Sequence, residues 1–153
     1  MAKCATASIL LLVLVTMLGC ASSSPTSPVS PVSDAATAPY GLSVASAVEV
    51  CKPPGERAYL ARLRCGDGSI PTFTRTGSGG SRTVPRTKEQ EKEGMEQMFR
   101  EGPLAPGESD YHVVDYYEVT CGVEVTTIVM DMYHCHQNVP TQAPPQFTIT
   151  PPR

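Results

Sequence analysis

The chain has 153 residues, with 12 Lys and Arg against 15 Asp and Glu, a formal net charge of -3. That mild acidity argues against a nucleic-acid partner, whose phosphates call for a basic face. Fifteen Pro and 12 Gly, with no Trp and only three Phe, describe a loop-rich chain with a thin core. Beyond residue 18 no apolar run is long enough to span a membrane.

The chain opens Met1-Ala2-Lys3, and residues 9–18 then read ILLLVLVTML, with Thr16 as the one polar residue. A positive start, a short apolar core and small residues after it make the pattern of a secretory signal peptide. As a helix this core rises about 15 Å, roughly half the hydrocarbon thickness of a bilayer, so it reads as a removed leader rather than an anchor.

The leader ends Met17-Leu18-Gly19-Cys20. This stretch resembles the lipobox of bacterial lipoproteins, in which the cysteine thiol is diacylated and the leader is cut just before it. Gly19 and Cys20 match the pattern's small residue and its thiol; Met17 stands where the family usually has leucine. The resemblance covers only the first twenty residues or so. It implies a leader over residues 1–19, lipidation of Cys20 and a membrane partner reached through that lipid. Ala21 rather than Asp after the cysteine further implies sorting to the outer membrane of the bacterial envelope. Two acyl chains suffice for stable anchoring, at about 0.8 kcal/mol per buried methylene.

Residues 21–48, ASSSPTSPVSPVSDAATAPYGLSVASAV, carry a single charge, Asp34. Such a composition buries too little apolar surface to offset its ordering entropy. Residues 20–48 are therefore expected to form a tether, stiffened by Pro25, Pro28, Pro31 and Pro39. One small folded domain is expected over residues 49–153.

That domain holds Cys51, Cys65, Cys121 and Cys135, an even set that suits two disulfides in an exported protein. Residues 111–121 (YHVVDYYEVTC) and 124–135 (EVTTIVMDMYHC) are rich in strand-forming types. Gly122-Val123 between them has the form of a type II′ turn, which predicts one tight hairpin. Cys121 then sits at the turn and Cys135 at the far end, too distant to pair with each other. Two pairings remain. A third strand predicted over residues 57–65 (RAYLARLRC) favours Cys65 with Cys121 and Cys51 with Cys135 if it lies beside the last strand. The partners exchange if it lies beside the middle one. Gly66-Asp67-Gly68 reads as a turn, residues 72–76 as an edge strand and residues 77–80 (GSGG) as a loop.

Thr87-Lys88-Glu89-Gln90 has the form of a capping box, and Gly102-Pro103 that of a stop. One short helix is expected between them, anchored by Met95, Met98 and Phe99. The fold class is thus mainly β, of the α+β kind: a small antiparallel sheet built on a hairpin, one short helix and two disulfides.

Two constellations can carry chemistry. If residues 130–136 (MDMYHCH) stay extended, Met130, Met132, His134 and His136 share a face, and thioether with imidazole suits copper. The same face is the more apolar one of the hairpin, so its methionines also serve as core fillers. Val113 opposite Met132, Tyr117 opposite Ile128 and Val119 opposite Thr126 make that face. On the other face the same register brings His112 towards Asp131, Tyr133 and Val114, and a His–Asp pair can orient a general base. No nucleophile stands in a recognisable motif beside it. The expectation is therefore a membrane-anchored, non-enzymatic binding or structural module. Its partner would be an envelope protein or cell-wall component, with no cofactor; the alternative is a copper-type metal binder using the Met/His face.

Overall fold

The computed structural model describes residues 38–152. The leader over residues 1–19, Cys20 and most of the expected tether lie outside these residues. In chain order the elements are β1 (Val48–Glu49), α1 (Lys52–Leu60), β2 (Leu63–Arg64), β3 (Thr72–Ser81), α2 (Lys88–Met98), β4 (Val113–Cys121), β5 (Glu124–Asp131) and β6 (Thr148–Ile149). The fold is strand-dominated α+β, with one four-stranded sheet in the order β1-β5-β4-β3 and a two-stranded ribbon of β2 and β6. Among the described residues no helix is long and apolar enough to cross a membrane.

The hairpin is the centre of the sheet. Cys121 pairs with Glu124 across Gly122-Val123, and the register sets Val119 opposite Thr126 and Tyr117 opposite Ile128, as alternation predicts. Gly122 takes φ 62°, while Val123 stays out of the left-handed region, as the type II′ turn requires. One face carries Tyr117, Val119, Ile128 and Met130, all buried together with Val48, Tyr59, Leu60, Leu63 and Phe147.

Several expectations are corrected. Residues 57–65 are not a strand: residues 57–60 are the last turn of α1, and only Leu63–Arg64 pairs, antiparallel with β6. Pro53 and Pro54 at the first helical positions suit a helix start, where no amide hydrogen is needed. Glu56, Tyr59 and Leu60, at helical spacing, form the buried face, and Ala61 is exposed. The described residues accordingly hold two helices, where one was expected. The sheet is mixed rather than purely antiparallel, because β1 runs parallel to β5. The GSGG stretch is not a loop: β3 extends to Ser81, bulged where its register against β4 shifts, and is the sheet's edge as expected.

The folded unit also begins earlier than residue 49. Gly41 O accepts the Val129 amide at 2.8 Å, Tyr40 packs on the core, and Ala47 and Val48 are buried. A short polar composition concealed this, because β1 contributes only two strand residues and needs little apolar sequence to dock.

Both disulfides join the N-terminal segments to the hairpin. Cys51 pairs with Cys135, Cα atoms 4.2 Å apart, and Cys65 with Cys121, 5.8 Å apart. This is the favoured pairing, reached by another route. Cys51 follows β1 and bridges to Tyr133 just past β5, while Cys65 follows β2.

In α2 the capping box is formed: Thr87 Oγ1 accepts the Gln90 amide at 3.3 Å, and Gln90 Oε1 accepts the Thr87 amide at 3.2 Å. The anchoring face is not Met95, Met98 and Phe99. Met95 is 60 % and Phe99 82 % exposed, and the buried residues are Gly94 and Gln97. Gly94 lies against Tyr111, where a side-chain carbon would come within 2.9 Å of the Tyr111 Cβ. Gln97 donates to Ser109 O at 2.8 Å and accepts the Tyr111 amide at 2.9 Å. The helix is thus fastened by a close backbone approach and a buried amide, and it fixes the segment leading into β4.

Candidate functional site

The segment that α2 fixes carries Asp110 and His112. They meet Asp131 at the end of β5 and His134 in the turn that follows. Each of the four offers a ligating atom, and these atoms all lie within 4.8 Å of one another. The sequence places His112 near Asp131, and the structure does the same, at 3.6 Å from Nδ1 to Oδ2. Tyr133 is there too, stacked on the His112 ring with centroids 4.9 Å apart.

Asp110 and His134 were not legible in the same way. Asp110 lies before β4 begins, and its Oδ1 accepts the His112 backbone amide at 2.9 Å in a tight local turn. His134 reaches the cluster because the strand stops. With β5 ended at Asp131, the chain turns and the His134 ring swings back, donating from Nε2 to Asp131 Oδ2 at 2.9 Å.

For the same reason the structure does not gather Met130, Met132, His134 and His136. Met130 is fully buried in the core, Met132 packs against that core and His134 belongs to the Asp131 cluster; His136 is exposed and meets the His134 ring, centroids 5.8 Å apart. Alternation puts residues on one face only while the chain remains a strand.

A second layer surrounds the four residues. Glu49 of β1 is the register partner of Asp131, which sets its carboxylate beside the His134 turn. Gln137 donates to Glu49 Oε2 at 2.7 Å and to His134 Nδ1 at 3.1 Å, and Glu49 Oε2 stands 3.7 Å from that same Nδ1. Arg82, just past β3, pairs with Glu49 Oε1 at 2.8 Å and approaches Asp110 Oδ2 at 3.6 Å. Asp131 Oδ1 accepts the Tyr133 amide at 3.1 Å, which leaves Oδ2 to face both imidazoles.

The cluster is electrostatically tense. Burial alone would lower the His112 imidazole, yet Asp110 and Asp131 beside it push it up to about 9. Burial would raise Asp131, but the two imidazoles and the Tyr133 amide hold it far below the usual carboxylate range. Burial likewise opposes the fall of Asp110, which His112 brings about through its ring and backbone amide. Even so, His112 Nδ1 is a buried nitrogen with no hydrogen-bond partner. Asp110 Oδ1 is only 3.1 Å away but out of line for a bond.

A second buried carboxyl lies on the opposite side of the sheet. Glu56 of α1 is fully buried and accepts from the Tyr117 hydroxyl at 3.0 Å. Burial pushes it up to about 7; the Tyr117 bond pulls the other way and Asp115 adds to the rise. Asp115 itself is lowered: burial opposes the fall, and a two-pronged pairing with Arg75 at 2.9 and 2.7 Å outweighs it.

Asp67 is confined to a turn, accepting from the Ser69 amide and hydroxyl at 2.9 and 2.7 Å. Compared with known proteins, the chain matches no family model, no curated protein and no solved structure.

Proposed function

We propose that the protein is a non-enzymatic binding module, exported and held at a bacterial membrane by a lipid on Cys20, with an envelope component as its partner. The observation that carries the non-enzymatic reading is the closure of the His112–Asp131 pair, of a kind suited to orienting a general base. The His112 and Asp131 side chains are 5 % and 0 % exposed, and Tyr133 lies over the imidazole. A general base must come within hydrogen-bond reach of the proton it removes, and here a macromolecular substrate would meet Tyr133 and the Arg82–Glu49 rim first. Export is supported by the two disulfides, which suit an oxidising compartment in a domain with so thin a core. The anchor rests on the lipobox resemblance at Met17-Leu18-Gly19-Cys20.

The test is an intact mass of the protein extracted from bacterial membranes without reductant. The expected value is that of residues 20–153 plus acyl chains, less four hydrogens for the two disulfides. A mass without lipid, or a protein recovered in the soluble fraction, ends the anchored reading.

A further inference from the structure

We propose that Asp110, His112, Asp131 and His134 form a four-ligand site for a divalent first-row transition metal, with zinc as the ion that best suits the donor set. The inference stands independently of the lipid anchor, since it rests on the geometry of the folded domain.

Three observations carry it. The first is spacing. Bonds of about 2.0–2.1 Å to a tetrahedral ion put ligand atoms about 3.3 Å apart. His112 Nδ1 lies 3.1 Å from Asp110 Oδ1 and 3.6 Å from Asp131 Oδ2, and His134 Nε2 lies 2.9 Å from that same Oδ2. These three of the six edges bracket the tetrahedral value; all six lie within 4.8 Å, so binding would draw the wider pairs together by side-chain rotation.

The second is the orphaned Nδ1 of His112. Its side chain is 95 % buried, and the nitrogen faces two carboxylate oxygens without a hydrogen bond to either. A proton on Nδ1 would need to point along one of those contacts to be satisfied. A cation placed among the three atoms satisfies all of them at once, which a buried polar group requires.

The third is the supporting shell. Metal-bound histidines usually donate their other ring nitrogen to a carboxylate, and bound carboxylates are themselves held by donors. Binding through Nε2 would move the His134 proton to Nδ1, which now accepts from Gln137; Glu49 Oε2 stands 3.7 Å from that nitrogen and would have to close in to receive it. Asp131 Oδ1 is held by the Tyr133 amide, and Asp110 Oδ2 faces Arg82. Each carboxylate therefore has one oxygen secured and one turned inward.

The donors are two imidazoles and two carboxylates, which suit zinc and its neighbours. The thioether of Met130 stays in the core, so the soft donors that select monovalent copper are absent from the set. Four protein ligands on one ion leave no open position, the arrangement of a site that holds a metal rather than one that activates water. The ion would also tie together the approach to β4, the end of β5 and the following turn.

The test uses the full-length chain stripped with chelator. It is titrated with zinc sulfate by calorimetry, and with cobalt(II), whose intense visible bands report four-coordination. The expected result is one ion per chain, a dissociation constant of about micromolar or tighter, and tetrahedral cobalt bands. Asp110→Asn, at the partly exposed rim, should weaken binding at least tenfold, and His134→Gln by about a hundredfold. Glu49→Gln, which touches no metal, should lie in the range of about 10- to 100-fold typical of supporting residues. His136→Gln should leave binding unchanged. Weak or absent binding by the folded wild-type chain overturns the site. So does binding that survives Asp110→Asn and Glu49→Gln but is lost in His136→Gln. Should His134→Gln fail to fold, the wild-type cobalt spectrum and Asp110→Asn decide alone.

Discussion

Glu56 shows how one buried residue can carry a pH dependence of its own. It is fully buried and its carboxyl is pushed up to about 7 from an ordinary 4.5. Between those values the folded protein keeps a proton that the unfolded chain has released. Stability therefore falls as pH rises from about 4.5 to 7, and stays lower above. Glu56→Gln keeps the acceptor for the Tyr117 hydroxyl and removes the charge. It should stabilise the protein at pH 8 by on the order of 2 kcal/mol and change little at pH 4.5. Urea melts at the two pH values check this, and equal shifts at both would count against it. The residue was hidden in the sequence, where a glutamate at a core position breaks the apolar period that would reveal a helix. The cluster was half legible for a similar reason. The hairpin register gave His112 and Asp131, but nothing in a strand pattern tells where the strand stops, and His134 and Asp110 both lie beyond the stops.

Among the elements, the hairpin and the capping box could be read because their signals are local: alternation, a Gly-Val turn, a Thr three residues before a Gln. The packing of α2 could not. Its anchor is a glycine and a glutamine, whereas Met95 and the following Phe99 face outward. Gly94→Ala tests that packing. In an isolated helix it would gain up to about 1 kcal/mol of propensity. Here the added carbon would meet Tyr111 Cβ at 2.9 Å, and overpacking of this kind costs about 1–3 kcal/mol. A net loss near 1 kcal/mol is expected by denaturant unfolding; a gain would mean that α2 sits farther from Tyr111 than the structure has it. Helix α1 was missed altogether, because Tyr59, Ala61, Leu63 and Cys65 alternate as a strand would, while the helical face runs through Glu56, Tyr59 and Leu60.

At the scale of the whole molecule the two disulfides act on the unfolded chain more than on any contact. They close segments 84 and 56 residues long, for which loop-closure entropy gives similar stabilisation, about 4 kcal/mol each. The paired change Cys65→Ala with Cys121→Ala should cost about 2–5 kcal/mol in thermal or urea unfolding, and it spares the His134 turn. A loss below 1 kcal/mol would show that the ribbon of β2 and β6 already holds this end.

The Cys51–Cys135 bond also sets how the molecule bears load. A pull on its N-terminus meets Tyr40 and Gly41 first and then β1, which pairs with β5 over only two residues. Two parallel residues can be stripped away at little force. The next residue but one past β1, however, is Cys51, and from there tension crosses a covalent bond to Cys135. The helices, the hairpin and the His–Asp cluster up to His134 all lie inside that short circuit. A chain stretched between its ends would pay out its leading segment and its tail, and then stop, with the enclosed part under no tension.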